Sequence, residues 1–376
     1  MIFRRRNFWH KYPSHWFLKQ IDKMIIIFIA MSLETMEYRK LGTSGLKVSA
    51  LSYGYLTTTF ENDHELHKNL LDRCVRAGIN FIDTSEFYGN GNSETILGEN
   101  LKEIDHDRDD LIISTKLHPT ALGSIQGLTR KRIVLGLNNS LQRLQLDYVD
   151  VLSLHRFDYE VPLKEQIAAI NQLIETEKVF YWGSSMFTPQ QLAQCYAICE
   201  KYGYLYPIVE QCEYSMLQRQ MVEVDYTPLF DEFKLGTAVW GPLAGGLLSG
   251  KYNDGNIPSD SRFGKYQHPI LDTQWKKLVG WRKNNGSELF LELKKISEDL
   301  GCTQSQLALA WVLRNPDVST ALFGAKTLAQ IEDNLGALSV IKNLNKSTLD
   351  RIEEVLDNKP ATAINYRTFT PSPPRI

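Results

Sequence analysis

The chain has 376 residues, room for one large domain or two ordinary ones, and its 43% apolar and 23% charged content is that of a globular protein. Net charge is −2, but residues 1–23 carry six Lys or Arg against Asp22 alone, which leaves 36 basic and 43 acidic residues elsewhere. An acidic body argues against nucleic acid as the main partner.

The first 36 residues differ from the rest. The apolar run 24–31 is too short to span a bilayer, and no small-x-small cleavage site follows it. Residues 1–36 therefore read as a disordered extension or a start placed too far upstream, since Met24, Met31 and Met36 each offer a later one. A mitochondrial address is the alternative for so basic and acid-poor a segment. The five cysteines (Cys74, Cys195, Cys199, Cys212, Cys302) form no CxxC pair. No metal site is expected, and the scattered odd set suits a reducing compartment, here the cytoplasm.

From Tyr38 onward, short apolar runs alternate with segments of helical period, the pattern of βα units. Strand 51–54 precedes helix 66–77, and strand 79–83 precedes helix 94–104. Strand 111–116 leads to a helix with Ile133, Leu137, Leu141 and Leu144 on one face. Strand 149–155 is followed by a helix marked by Ile167, Ile170 and Ile174. Then come strand 179–185, helix 189–202, strand 207–213, a short helix 228–234 and strand 237–242. A polar segment, 253–285, interrupts before helices 287–300 and 304–314, strand 318–324 and helix 327–337. Gly78, Gly203 and Gly236 sit where left-handed caps would stop helices ahead of strands. Eight such units without a reversal predict an α/β fold, a closed (β/α)8 TIM barrel over residues 37–360, with residues 361–376 as a loose tail.

Three of the apolar runs end on ionisable residues: Asp83, Lys116 and His155, with Tyr88 close behind Asp83 in D-T-S-E-F-Y. In a barrel these lie on the C-terminal face, where active sites of this architecture are built. Lys116 beside Tyr88 is expected to draw the phenol down from its ordinary pKa near 10, with Asp83 keeping the lysine charged. His155 can hold a substrate oxygen by a hydrogen bond. The set predicts a proton donor aimed at a carbonyl oxygen that becomes negative on reduction.

These motifs resemble the aldo-keto reductase superfamily over 38–368. They are Y-R-K-L-G-T-S-G-L-K-V-S (38–49), D-T-S-E-F-Y-G (83–89), S-T-K (114–116), R-L-Q-L-D-Y-V-D (143–150), Y-W-G-S-S (181–185), A-V-W-G-P-L-A-G-G-L-L-S-G-K-Y (238–252) and L-F-G-A-K (322–326). The branch most similar holds voltage-gated potassium-channel β subunits and their microbial relatives. The resemblance implies NADP(H) extended across the barrel mouth and a small carbonyl substrate. Asp83 and Tyr55 would touch the cofactor, Ser185 and Gln211 would hold its nicotinamide amide, and Trp240 would stack beneath the ring. Gly241, Pro242, Leu243, Ala244 and Gly245 open a glycine-rich loop that lets backbone approach a pyrophosphate, with Lys251 adding charge. Gly245 to Lys251 has P-loop spacing, but Tyr252 stands where a magnesium-binding Ser or Thr would be, so nucleoside triphosphate is not expected. Thr327 opens a helix, and a helix N-terminus favours phosphate. Gly324, Lys326 and Arg262 would serve the 2′-phosphate side, and Gln330, Asp333 and Asn334 the adenine side.

There are departures. Gly54-Tyr55-Leu56 replaces G-T-W, Met186 stands where channel subunits carry arginine, and Phe157 replaces proline in H-R-F-D. His155 is the reductase-type residue, where animal channel subunits carry asparagine. The expected function is therefore NADPH-dependent reduction of aldehydes or ketones. The alternative is a redox-sensing β subunit of a membrane potassium channel, and a barrel without cofactor is a third reading. Tyr55, Leu56, Tyr266 and Trp275 are candidates for the substrate walls. Relatives include monomers and tetramers, so a homo-oligomer is open.

Overall fold

The computed structural model describes residues 36–56, 63–120, 127–254, 256–259, 261–265 (Arg262 by its backbone) and 288–362. Apart from Met36, the N-terminal extension lies outside the described residues, as do Tyr266, Trp275 and the tail beyond residue 362.

An antiparallel hairpin comes first, β1 (Tyr38–Lys40) with β2 (Lys47–Ser49). Eight parallel strands then follow: β3 (Leu51–Gly54), β4 (Phe81–Asp83), β5 (Ile112–Leu117), β6 (Val149–Leu154), β7 (Val179–Ser185), β8 (Val209–Gln211), β9 (Gly236–Trp240) and β10 (Thr320–Phe323). Each pairs with the next, and β10 pairs back onto β3 to close the barrel. The predicted (β/α)8 architecture is present.

The helices between strands are α1 (His64–Arg76), α2 (Asn92–Glu103), α3 (Arg130–Leu144), α4 (Leu163–Glu175), α5 (Pro189–Tyr202), α6 (Thr227–Phe233), α7 (Glu288–Asp299) and α8 (Gln304–Arg314). Beyond β10 come α9 (Leu328–Leu335) and α10 (Lys346–Leu356). Their starts are chemically marked. Asp63 accepts a bond from the Leu66 N–H at α1, and Thr188 and Thr303 form capping boxes with Gln191 and Gln306. Their buried faces follow the helical period, as in His67, Leu70, Leu71 and Cys74 of α1.

Three features differ from the sequence reading. Gly236 begins β9 instead of capping a helix; the left-handed cap there is Lys234, at φ 50°. The hairpin was not anticipated because its strands are three residues long and mostly polar. It inserts Leu41 and Val48 among Phe81, Ile112, Val151 and Leu322 of the barrel interior, and so plugs the N-terminal end. The approach is close enough that a Cβ on Gly42 would lie 2.3 Å from the Ile208 carbonyl oxygen. Helix α10, capped by Asn345 and buried through Ile352 and Leu356, was also unforeseen.

Candidate active site

Sheet register explains how the first two residues meet. Asp83 pairs with Ser114, and Lys116, two residues further along β5, shares that face of the strand. The Lys116 ammonium reaches Asp83 Oδ2 at 2.5 Å and the Thr84 carbonyl oxygen at 2.6 Å, with no part of the lysine exposed. The second oxygen, Asp83 Oδ1, accepts from the Gln211 amide at 3.0 Å. Every oxygen of this buried carboxylate thus has a partner, which offsets its desolvation.

Tyr88 lies over this pair, with the Lys116 ammonium 5.0 Å from its ring centroid. The expected lowering of its pKa does not win. Burial pushes the Tyr88 phenol above its ordinary value, and Asp83 adds to that, while Lys116 and Arg156 pull the other way. Tyr88 therefore holds its proton at neutral pH, as a donor must.

His155 follows β6, its backbone N–H bonded to the Leu117 carbonyl at 2.8 Å and its ring edge-on to Tyr88 at 5.7 Å. Burial first, then Lys116 and Arg156, hold its imidazole well below the usual histidine range, so the ring is neutral. Its Nδ1 lies 3.0 Å from Ser85 Oγ. Beside it, His118 stacks on Phe87 at 4.4 Å and stands edge-on to His155 at 5.1 Å. Burial and Arg156 bring His118 down to about 4, so this wall too is neutral. Ser85, Phe87 and His118 were missed in the sequence. Ser85 lies 70 positions from His155, and no local spacing predicts contact over that separation.

The ends of β7 and β8 form the next wall. Ser185 Oγ donates to the Gln211 carbonyl at 2.9 Å and accepts from Arg156 at 3.1 Å. Met186 turns the chain there at φ 58°. Behind the turn the buried Glu210 accepts from Ser184 Oγ at 2.5 Å and from the Phe187 N–H at 3.2 Å. Burial pushes its carboxyl up to about 7. Arg156 and Glu210 were also missed; their only signal was adjacency to His155 and Gln211.

Trp240 ends β9, half-buried against the barrel interior. Beyond it Gly241, Ala244, Gly245, Gly246 and Gly250 all take left-handed backbone, and the four glycines among them carry no side chain over the main chain. Lys251 folds back so that its ammonium would be 2.8 Å from a Cβ on Gly246. After β10, Gly324 is exposed, and the Lys326 N–H donates to Gln330 Oε1 at 2.7 Å. Thr327 caps α9. Asp333 accepts from Thr303 Oγ1 at 2.8 Å, and Asn334 is buried. Arg262 lies in a short helix, Arg262–Lys265. Tyr55 is different. It is wholly buried, its hydroxyl accepting from Asn100 at 3.2 Å and its ring against Tyr53 and His67, so its side chain packs the core and does not line the mouth. The structure thus gathers Asp83, Tyr88, Lys116, His155, Ser185 and Gln211, and leaves Tyr55 out.

Residues 50–357 match the model of the aldo/keto reductase family. A probable voltage-gated potassium channel subunit beta from Oryza sativa subsp. japonica is 41% identical over 334 residues, covering 88% of this chain and 100% of that protein. One of the same description from Arabidopsis thaliana has the same identity and coverage. A putative voltage-gated potassium channel subunit beta from Schizosaccharomyces pombe is 42% identical over 343 residues, 89% of this chain and 97% of its own.

Proposed function

The chain belongs to the aldo/keto reductase family, and from that premise we propose that it reduces aldehydes or ketones to alcohols with NADPH, using Tyr88 as proton donor. Oxidoreduction is the family's general chemistry. The observation that carries the finer reading is the buried Lys116–Asp83 pair beneath a protonated Tyr88, beside a neutral His155.

The residues fit a phosphate-bearing dinucleotide. The left-handed glycines of 241–250 remove side chains from a stretch of backbone that a pyrophosphate could approach, with Lys251 beside it. Ser185, Gln211 and Trp240 would hold the nicotinamide end. Gly324, Lys326, Gln330, Asp333 and Asn334 would hold the adenosine end at the start of α9, and Arg262 would add charge. When bound, the reduced nicotinamide supplies the hydride.

The chain's own residues do the rest. As negative charge develops on the carbonyl oxygen, Tyr88 gives up its proton there. Lys116 stabilises the phenolate that this leaves, and Asp83 with the Thr84 carbonyl keeps the ammonium in place. His155 orients the substrate beside Tyr88, and Phe87 with His118 gives the mouth a neutral aromatic wall.

The test is purified protein with NADPH and a panel of aromatic and aliphatic aldehydes, followed by stopped-flow NADPH oxidation. Oxidation that depends on aldehyde supports the reading, and none across the panel rejects it. The relatives' names favour a second reading, a β subunit of a membrane channel that responds to the redox state of NADP. Among the described residues no helix is long and apolar enough to cross a membrane, so such a role would require a separate channel partner. Copurification with a channel from native membranes would support it.

A further inference from the structure

A buried carboxylate stands behind the wall that Ser185 and Gln211 form at the mouth. Across the sheet Ser184 pairs with Glu210 and Ser185 with Gln211, and strand alternation sends the Glu210 side chain to the face opposite Gln211. Glu210 is wholly buried, and it bonds Ser184 Oγ and the Phe187 N–H on either side of the left-handed turn at Met186. The titratable groups around it are Cys195 and Tyr196 on α5, Cys212 beyond β8, Tyr226 ahead of α6 and Arg156 after β6. Burial pushes both thiols and both phenols up, so they stay neutral. Arg156 alone among these neighbours is charged.

The Arg156 guanidinium donates to Ser185 Oγ at 3.1 Å, which sets its charge against the wall read as holding the nicotinamide amide. Nearby, Asp83 cancels the Lys116 ammonium, and Tyr88, His155 and His118 are uncharged at neutral pH. Protonated, Glu210 leaves Arg156 uncompensated; ionised, it offsets that charge. A nicotinamide feels the difference, because the oxidised ring is positive and the reduced ring is neutral. We propose that Glu210, acting through Arg156, sets the preference of this site between NADP⁺ and NADPH, its protonated form favouring NADPH and its ionised form admitting NADP⁺. Glu210 touches no reacting atom, so it is a positioning residue, and the inference rests on the NADP(H) reading of the mouth. Burial puts its titration at about 7, so the preference turns over in the neutral range. Acid then favours exchange of spent cofactor for NADPH, and alkali retains NADP⁺. By reciprocity, NADP⁺ must drive the proton off Glu210 more readily than NADPH does.

The experiment follows NADPH fluorescence on the full chain as NADP⁺ displaces it, in a series of buffers spanning the neutral range. The ratio of Kd for NADP⁺ to Kd for NADPH should fall about fivefold as Glu210 ionises, a modest effect for charges inside a protein. Both forms carry the same 2′-phosphate, so its own titration cancels in the ratio. Glu210→Gln can keep the bonds to Ser184 and Phe187 without the charge, and should hold the ratio at its acid value throughout. A flat ratio in wild type overturns the proposal, and so does a pH dependence that survives in Glu210→Gln. A second measurement needs no variant. Calorimetry at neutral pH, in two buffers of different ionisation enthalpy, counts the protons released on binding. NADP⁺ should release about 0.4 of a proton more than NADPH, the linkage partner of a fivefold change. Equal counts overturn the proposal. Binding of neither form at any pH overturns the NADP(H) reading itself, whereas binding of both at one fixed ratio removes only the role of Glu210.

Discussion

The Lys116 ammonium sits 2.5 Å from the Asp83 carboxylate, and neither side chain has more than 4% of its surface exposed. Removing one partner leaves the other charge buried alone, which costs about 3–5 kcal/mol, whereas replacing both can be nearly neutral. Asp83→Ala should therefore lower stability to urea by about that amount, and Asp83→Ala with Lys116→Met should recover much of it. A double variant no more stable than Asp83→Ala would mean that the ammonium is not stranded. Both variants should lose reductase activity, because stability and catalysis use the pair differently.

Tyr88→Phe removes one hydroxyl from a half-buried ring and leaves the Lys116–Asp83 pair intact. Activity with aldehydes should fall roughly 10²–10⁴-fold, the usual worth of a positioned general acid. Thermal unfolding should stay within about 0.5 kcal/mol of wild type, as for a change that empties no core site. Stopped-flow NADPH oxidation and a melting curve on one preparation check both. Wild-type turnover in the variant would rule out Tyr88 as the donor.

Glu210 gives the fold a pH dependence of predictable sign. Its folded pKa is raised from an ordinary 4.5 to about 7 by burial, so the native chain holds this proton more tightly than the unfolded one. The stability from that tighter binding is fully present below pH about 4.5. It is lost as pH rises to about 7, by on the order of 3 kcal/mol. Urea midpoints across this range should show that slope for wild type, and Glu210→Gln should flatten it. Parallel slopes would assign the titration elsewhere.

Gly42 tests the hairpin plug. Its φ is +60°, and a Cβ there would lie 2.3 Å from the Ile208 oxygen and 3.0 Å from the Gly236 nitrogen. Gly42→Ala should cost about 2–4 kcal/mol through backbone strain and overpacking combined. Gly45→Ala, in the same loop with open space around it, should be far milder. Equal losses in the two, read by chemical denaturation, would show that the plug tolerates displacement.

The barrel was legible because its strands are short, buried on both faces and separated by helices of clear period. Strand 179–185 agrees at both ends with the observed Val179–Ser185, and strand 51–54 with Leu51–Gly54. The hairpin escaped for the opposite reason: its strands are three residues long and mostly polar. Helix α10 has Leu349, Ile352, Val355 and Leu356 at helical spacing, a signal that lies beyond the eighth strand–helix unit and so outside the repeat. Tyr55 looked like a mouth residue from its place after the first strand, yet its hydroxyl found Asn100 in α2 and its ring the core.

By itself the sequence determined the architecture and placed Asp83, Lys116 and His155 at strand ends, since period and apolar runs are local properties. It also carried the likeness to a reductase family in ordered motifs. Only the tertiary structure decided how those groups behave. Burial outweighed Lys116 and kept the Tyr88 phenol protonated; Ser85 came to His155 across 70 positions; Glu210 was enclosed far enough to titrate near neutrality. Proton affinities depend on desolvation and on partners brought in by barrel closure, and neither is written in the spacing of residues along the chain.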